Sequence, residues 1–333
     1  MVNYILRRLV TSAVLLLIVS MVTFAIFFLI PKAAGSDPAE LYVGKTATPR
    51  DVAATRVKLG LDKPVPVQYA RFVKGLFVGR DYNNGPDITH CSAPCFGYSF
   101  KNDREVWPLL LDRLPVTASL ALGAAFFWLI GGVLAGVISA LRRGSIVDRA
   151  VMVVALAGVS LPIYFTGLLA QLVFVHSLHW FRGGEYVNFR DDPAGWASKL
   201  FLGWITLALL FAAGYARLTR ATMLETVGED YIRTARAKGL KERTVISKHA
   251  MRAVLTPIVT IFGLDLGGLL GGAILTEVVF SLPGIGRLSI DAVNAKDLPI
   301  ILGVTLFAAF FIIMANFLVD LLYAVIDPRV RLS

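Results

Sequence analysis

This chain has little with which to do chemistry of its own. Its 333 residues include only two cysteines and four histidines. A Gly-x-x-x-x-Gly-Lys-Ser phosphate loop and a His-Glu-x-x-His metal helix are both missing, which excludes the common nucleotide-hydrolysing and zinc-peptidase designs. Charge is scarce too. Asp, Glu, Lys and Arg make up 17% of the chain against 56% hydrophobic residues, so most of it has to face lipid and not water.

A membrane-crossing helix needs roughly 20 predominantly apolar residues. Six stretches reach or approach that length: residues 9–30, 116–141, 146–174, 200–216, 253–280 and 299–326, the fourth being the shortest. The first exceeds the roughly 7 to 15 apolar residues of a cleaved signal peptide, and Pro31-Lys32 ends it where small residues would mark cleavage. It reads as a retained span. The pattern predicts an all-helical polytopic membrane protein with one transmembrane helix in residues 1–31, an extracytoplasmic insertion over 32–115, and a core of five further helices over 116–333.

Basic residues set the orientation. Arg7 and Arg8 precede the first stretch, Arg142, Arg143 and Arg149 bracket the turn after the second, a long basic loop follows the fourth, and Arg329 and Arg331 close the chain. With six spans all of these fall on one side, which predicts cytoplasmic termini in a cytoplasmic (inner) membrane. The formal net charge of +10 is therefore first a topology signal. Nucleic acid is the usual alternative partner for a basic protein, but a helical loop pinned between two spans has little freedom to enter a groove.

That loop, residues 217–252, is more elaborate than topology requires. Acidic residues open the helix at Glu229 and Asp230, Arg236 and Lys238 close it, and Gly239 supplies a left-handed turn. Residues 241–251 read as a second helix, with Val245, Ile246, Ala250 and Met251 on one face. Small Ala235 and Ala237 permit close approach by a partner, Tyr231 and Leu240 are candidate anchors, and the surrounding Arg and Lys suit acidic groups or lipid phosphates.

The insertion mixes both signs of charge with Gly and Pro, shows helical periodicity over residues 52–61, and is too weakly apolar to promise an enzyme domain. It holds both cysteines, Cys91 and Cys95. On an oxidising face a disulfide closing a tight loop is favoured over a metal held by His90 and the two thiols, for which no fourth ligand stands nearby. His176 and His179, beside Trp180, suit an interfacial belt better than a metal pair.

Within the fifth stretch, Asp265 and Glu277 need partners or a cavity, because a carboxylate at the bilayer centre costs roughly 3 kcal/mol. Asp265 is the better pathway candidate, with pairing to a neighbouring helix equally open. Gly263, Gly267, Gly268, Gly271 and Gly272 form a smooth face suited either to a gate between subunits or to packing within the chain.

Four separated motifs carry a family resemblance. They are Tyr4-Ile-Leu-Arg-Arg-Leu9, then Asp230-Tyr-Ile-Arg-Thr-Ala-Arg-Ala-Lys-Gly-Leu240 followed by Pro257, then Glu277-Val-Val-Phe-Ser-Leu-Pro-Gly-Ile-Gly-Arg-Leu288, and Asp320-Leu-Leu-Tyr-Ala-Val-Ile-Asp-Pro-Arg329. In this order they resemble the B-type permease of the oligopeptide/dipeptide/nickel ABC importers over nearly the whole chain. The resemblance implies half of a translocation pathway for short peptides or related solutes. It also implies a second homologous permease, two cytoplasmic ATPase subunits that carry ATP and Mg, and an outer solute-binding protein, with no cofactor on this chain.

In such importers the basic loop corresponds to the EAA loop that docks into the ATPase. This assigns docking to Tyr231, Arg233, Thr234, Ala235, Ala237, Gly239 and Leu240, although Arg233-Thr234-Ala235 stands at the naming positions and only Ala235 and Gly239 carry over directly. Glu277 matches a family position near the outer end, as a cap on the turn into Ser281-Leu-Pro-Gly284. Two departures stand out: Gly203-Trp204-Ile205 replaces a usual proline in the fourth span, and residues 80–94 form an insertion. An ion-coupled secondary transporter, with Asp265 as its carboxylate, is the alternative. A membrane enzyme is disfavoured by the lack of a catalytic cluster.

Overall fold

A computed structural model describes residues 2–33, 35, 37–41, 48–83, 88–181 and 185–326. Helix α1 (Val2–Ala33) is followed by α2 (Pro49–Leu59) and α3 (Val65–Val78). Two short antiparallel ribbons come next: β1 (Arg80–Asn83) with β2 (Ile88–Cys91), in the register Arg80 opposite Cys91, and β3 (Tyr98–Ser99) with β4 (Arg104–Glu105). The rest is helical: α4 (Val106–Leu141), α5 (Ile146–Ser160), α6 (Ile163–Ala170), α7 (Pro193–Gly228), α8 (Asp230–Ala237), α9 (Glu242–Thr244), α10 (Met251–Leu270), α11 (Ile274–Val279), α12 (Ile285–Ala295) and α13 (Leu298–Ile326). The ribbons have no counterpart in the apolar pattern, because their strands are too short to show alternation.

Among the described residues five helical segments are long and apolar enough to cross a membrane: Ile5–Leu29, Val106–Leu141, Pro193–Gly228, Glu242–Leu270 and Leu298–Leu322. Four expectations are corrected. The third stretch, expected to be one span over 146–174, is two segments, Ile146–Ser160 and Ile163–Ser177, bent by 101°. Pro162 is the cause. It lacks an N–H and forces the preceding Leu161 to an extended φ of −90° and ψ of 126°.

The fourth stretch, expected to be the shortest, is one of the two longest helices. Asp192 caps it by accepting from the amides of Ala194 and Gly195, at 3.1 and 2.9 Å, and Pro193 occupies the first turn. Hydropathy alone overlooked that start because Lys199 interrupts the run. The fifth stretch, expected to be continuous over 253–280, ends at Leu270 and resumes at Ile274. Gly272, at φ +132°, stands in the break. The second helix of the basic loop is likewise not separate, since α9 passes through a π-helical stretch, Val245–Ala250, directly into α10.

The chain divides into two compact units. The first comprises Met1–Thr117, Leu270–Ile274 and Pro283–Phe317. Its core joins Val106 and Leu110 of α4 to Ile285 of α12 and Ile300, Val304 and Phe307 of α13. A polar stitch holds the ribbons to the turn between α12 and α13: the Ser99 hydroxyl and the Asn102 amide both donate to Asp297, which is 3% exposed.

The second unit comprises Ala118–Leu269, Leu275–Leu282 and Leu318–Ser333. Here α5 and α6 pack along α7. Glycines of α4 let it too approach α7 closely: a Cβ on Gly136 would lie 2.5 Å from the Thr219 Cβ, and one on Gly132 would lie 2.7 Å from the Tyr215 Cβ. At the Gly203-Trp204-Ile205 departure α7 runs unbroken, and the Trp204 indole donates to the Ser119 carbonyl at 3.0 Å.

Candidate functional site: the loop between α7 and α10

Helix α8 exists because Glu229 leaves the α7 path in an extended conformation, and the carbonyl of Glu229 then accepts from the Ile232 and Arg233 amides. It ends at Gly239, whose φ of +74° is open to few other residues, while the Leu240 amide returns to the Ala235 carbonyl. Ile232 and Ala235, three apart and therefore on one face, are 0% and 6% exposed and turn inward; α8 packs on α7 and on the π-helical stretch. Ala235 thus serves the chain's own packing and is closed to a partner, contrary to the expectation of close approach there. Ile232, which the sequence reading passed over, is the true anchor of α8 to its own chain.

The opposite face is exposed: Tyr231 at 46%, Leu240 at 40%, with Arg233, Thr234, Ala237 and Gly239 between them. Ion pairs stiffen it. Arg236 forks onto Glu242 across the turn, at 3.0 and 2.7 Å, and Arg233 lies 3.4 Å from Asp230. Partial burial and the Glu229 charge raise the Tyr231 phenol, which stays neutral at ordinary pH. The product is a short basic helix, tied by ion pairs, with Tyr231 at its start and Leu240 just beyond its end both facing solvent.

The pathway candidates do not form one group. The Asp265 carboxylate accepts from the Tyr215 hydroxyl at 2.8 Å, and Tyr215 is 3% exposed, so Asp265 is paired to a neighbouring helix. Gly268 is exposed with open space before it, whereas Gly271 and Gly272 lie in the break and Gly272 abuts the Gly286 backbone. The expected continuous glycine face is therefore divided. Glu277 is 0% exposed on α11, and its backbone carbonyl accepts from Leu282 at 2.8 Å, closing the turn before Pro283.

In the insertion Cys91 and Cys95 are joined by a disulfide with 5.6 Å between Cα atoms, and His90 pairs with Asp81, which leaves no thiols for a metal. Among the described residues no group of three or more metal-ligating side chains occurs. Trp180, 68% exposed, packs its ring 5.6 Å from Phe174 beyond α6. The tail beyond Ile326, with Arg329 and Arg331, lies outside the described residues.

One buried cluster escaped the sequence reading. Asp148, 4% exposed, accepts from the Ser139 hydroxyl, from the Gly144 amide at 2.9 Å, and from Arg220 through Nε at 2.7 Å and a terminal nitrogen at 2.9 Å. Its legible trace is Ser145-Ile-Val-Asp148 directly after Gly144, a helix-start pattern in which Ser145 accepts from the Asp148 amide. Arg220 leaves no such trace, because its partner is far away in sequence.

The described residues form a helical protein with several membrane-length helices and a basic helix and turn between two of them. Comparison with known proteins gives the class. Residues 1–121 match the binding-protein-dependent transport system membrane component N-terminal family, and residues 132–332 match the binding-protein-dependent transport system inner membrane component family. The chain belongs to this family and is the permease component of an ABC transport system.

Among its relatives, a putative peptide transport system permease of Brucella abortus (strain 2308) is 41% identical over 332 residues, covering 99% of each chain. The di/tripeptide transport system permease DppB of Pseudomonas aeruginosa (strain UCBPP-PA14) is 38% identical and the dipeptide transport system permease DppB of Escherichia coli (strain K12) 37%, each alignment covering 99% of both chains. The inward-facing MetNI methionine ABC transporter shares the fold, with a TM-score of 0.51 at 16% identity over 66% of this chain and 97% of that one.

Proposed function

We propose that this permease imports short peptides or related solutes, forming half of a membrane pathway with a second, homologous permease. Two ATPase subunits holding ATP and Mg grip the exposed face of α8, an outer solute-binding protein delivers the solute, and both termini are cytoplasmic. The observation that carries this reading is the docking form of α8, with its inward face committed to the chain and its outward face left to a partner. Full-length relationship to proteins named as peptide permeases supports the substrate class.

Purification of this chain from native membranes, followed by identification of attached subunits and uptake of a labelled dipeptide into vesicles, tests the proposal. ATP-dependent uptake with a co-purified ATPase is expected. Uptake by this chain alone, driven by an ion gradient, would replace the proposal with a secondary transporter using Asp265.

A further inference from the structure

The clasp around Asp148 contains no residue of α8, yet it joins α4, the α4–α5 turn and α5 to α7, the helix that leads into α8. Ser139 lies near the end of α4, Gly144 in the turn, Asp148 near the start of α5, and Arg220 on α7 about two turns before that helix ends. A displacement of α8 reaches the α4–α5 hairpin through that last part of α7, and reaches α10 separately through the π-helical stretch. Above the clasp, α7 meets α4 at Gly132 and Gly136. Such close, smooth packing resists separation but offers little resistance to sliding along the helix axes.

A forked Arg–carboxylate pair fixes two parallel hydrogen bonds and so resists both sliding and rotation. The remaining acceptor capacity of Asp148 is taken up by Ser139 and Gly144, so the carboxylate is held from three elements at once. Thr219, beside Arg220, is 0% exposed against Gly136, so the fork lies next to a close contact of α7 with α4.

We propose that Asp148 and Arg220 are positioning residues of the transport cycle, locking the α4–α5 hairpin to α7 so that the motion of α8 moves all three helices together. The proposal rests on the importer reading above. Without the clasp the end of α7 moves alone, so nucleotide hydrolysis proceeds and solute transfer lags. A purely structural role would instead lower assembly, hydrolysis and uptake in proportion.

The test compares reconstituted complexes of the wild type, Arg220→Lys, and the double variant Asp148→Asn/Arg220→Gln, which leaves no unpaired buried charge. Assembly, ATP hydrolysis and dipeptide uptake are measured on the same vesicles. The double variant should assemble and hydrolyse ATP, with uptake per ATP reduced roughly tenfold, within the roughly 5- to 150-fold span of typical coupling effects. Arg220→Lys, which keeps the charge and loses the fork, should fall between the two.

Wild-type uptake per ATP in the double variant, or hydrolysis and uptake falling together, overturns the proposal. If the double variant fails to assemble, Arg220→Lys decides: reduced uptake per ATP supports the clasp and an unchanged ratio overturns it. A wild-type complex that binds no ATPase overturns the importer reading beneath it, and the clasp proposal with it.

Discussion

Gly239 in the basic loop and Gly272 in the break after α10 both hold positive φ, +74° and +132°, yet their surroundings are opposite. A Cβ on Gly239 would meet nothing within 4 Å, while one on Gly272 would lie 2.8 Å from the Gly286 Cα and 2.9 Å from its amide nitrogen. Gly286 returns the constraint, since its own Cβ would lie 2.7 Å from the Ile274 backbone. At Gly239 glycine supplies only a backbone conformation. At Gly272 it supplies a conformation and a contact between backbones, so the same residue type is there for different reasons.

The largest effect should come from Gly272→Ala. The new methyl has backbone and not a flexible side chain before it, so overpacking of roughly 1–3 kcal/mol adds to a positive-φ cost of roughly 1–2 kcal/mol. Gly239→Ala should meet only the second cost. Thermal unfolding midpoints of the two purified variants measure the difference, and equal shifts would break the comparison at its root.

Asp265 sharpens the point from the side of polarity. Asp265→Leu removes the acceptor of the buried Tyr215 hydroxyl, and an orphaned buried donor costs roughly 1–3 kcal/mol. Asp291→Leu removes only an exposed carboxylate 3.9 Å from Arg287, worth less than about 1 kcal/mol. Uptake and assembly should suffer more from the first, and a normal Asp265→Leu beside an impaired Asp291→Leu would contradict this.

These residues also show how much the sequence reveals. Gly239 was legible because a turn between a capped helix and a new apolar face is a local event, and local events leave adjacent traces. The spans were legible for the same reason, except where hydropathy ran straight through Pro162 and the Gly271-Gly272 pair or stopped early at Lys199. The contact between Gly272 and Gly286, the fork from Arg220 to Asp148, and the inward turn of Ala235 depend on which helix lies alongside which. No apolar period in one segment encodes its neighbour.

In the insertion a smaller effect is expected. The Cys91–Cys95 disulfide closes a very short loop, for which chain entropy gives about 2 kcal/mol. Cys91→Ser/Cys95→Ser should loosen residues 91–97 without altering docking, so hydrogen exchange should rise there while bound ATPase is unchanged. Mass measurement of the unreduced wild type, showing both thiols free, would remove the premise.

The smallest effect on folding, and the one most specific to function, belongs to Gly239. Open space before it means that Gly239→Val suffers only the backbone penalty of roughly 1–2 kcal/mol, and Gly239→Asn, which tolerates the left-handed region, less than about 1 kcal/mol. The Cβ of neither replacement meets a neighbour, so both variants should insert into membranes as the wild type does. The strained valine relieves itself by swinging α9 relative to α8, which disturbs the fork from Arg236 to Glu242 and moves the exposed Leu240. Gly239→Val should then lower bound ATPase or uptake per ATP severalfold, with Gly239→Asn close to wild type. If valine leaves both quantities at wild-type values, the exposed face of α8 is not where the motor is held, and the contrast between the two glycines has no functional side.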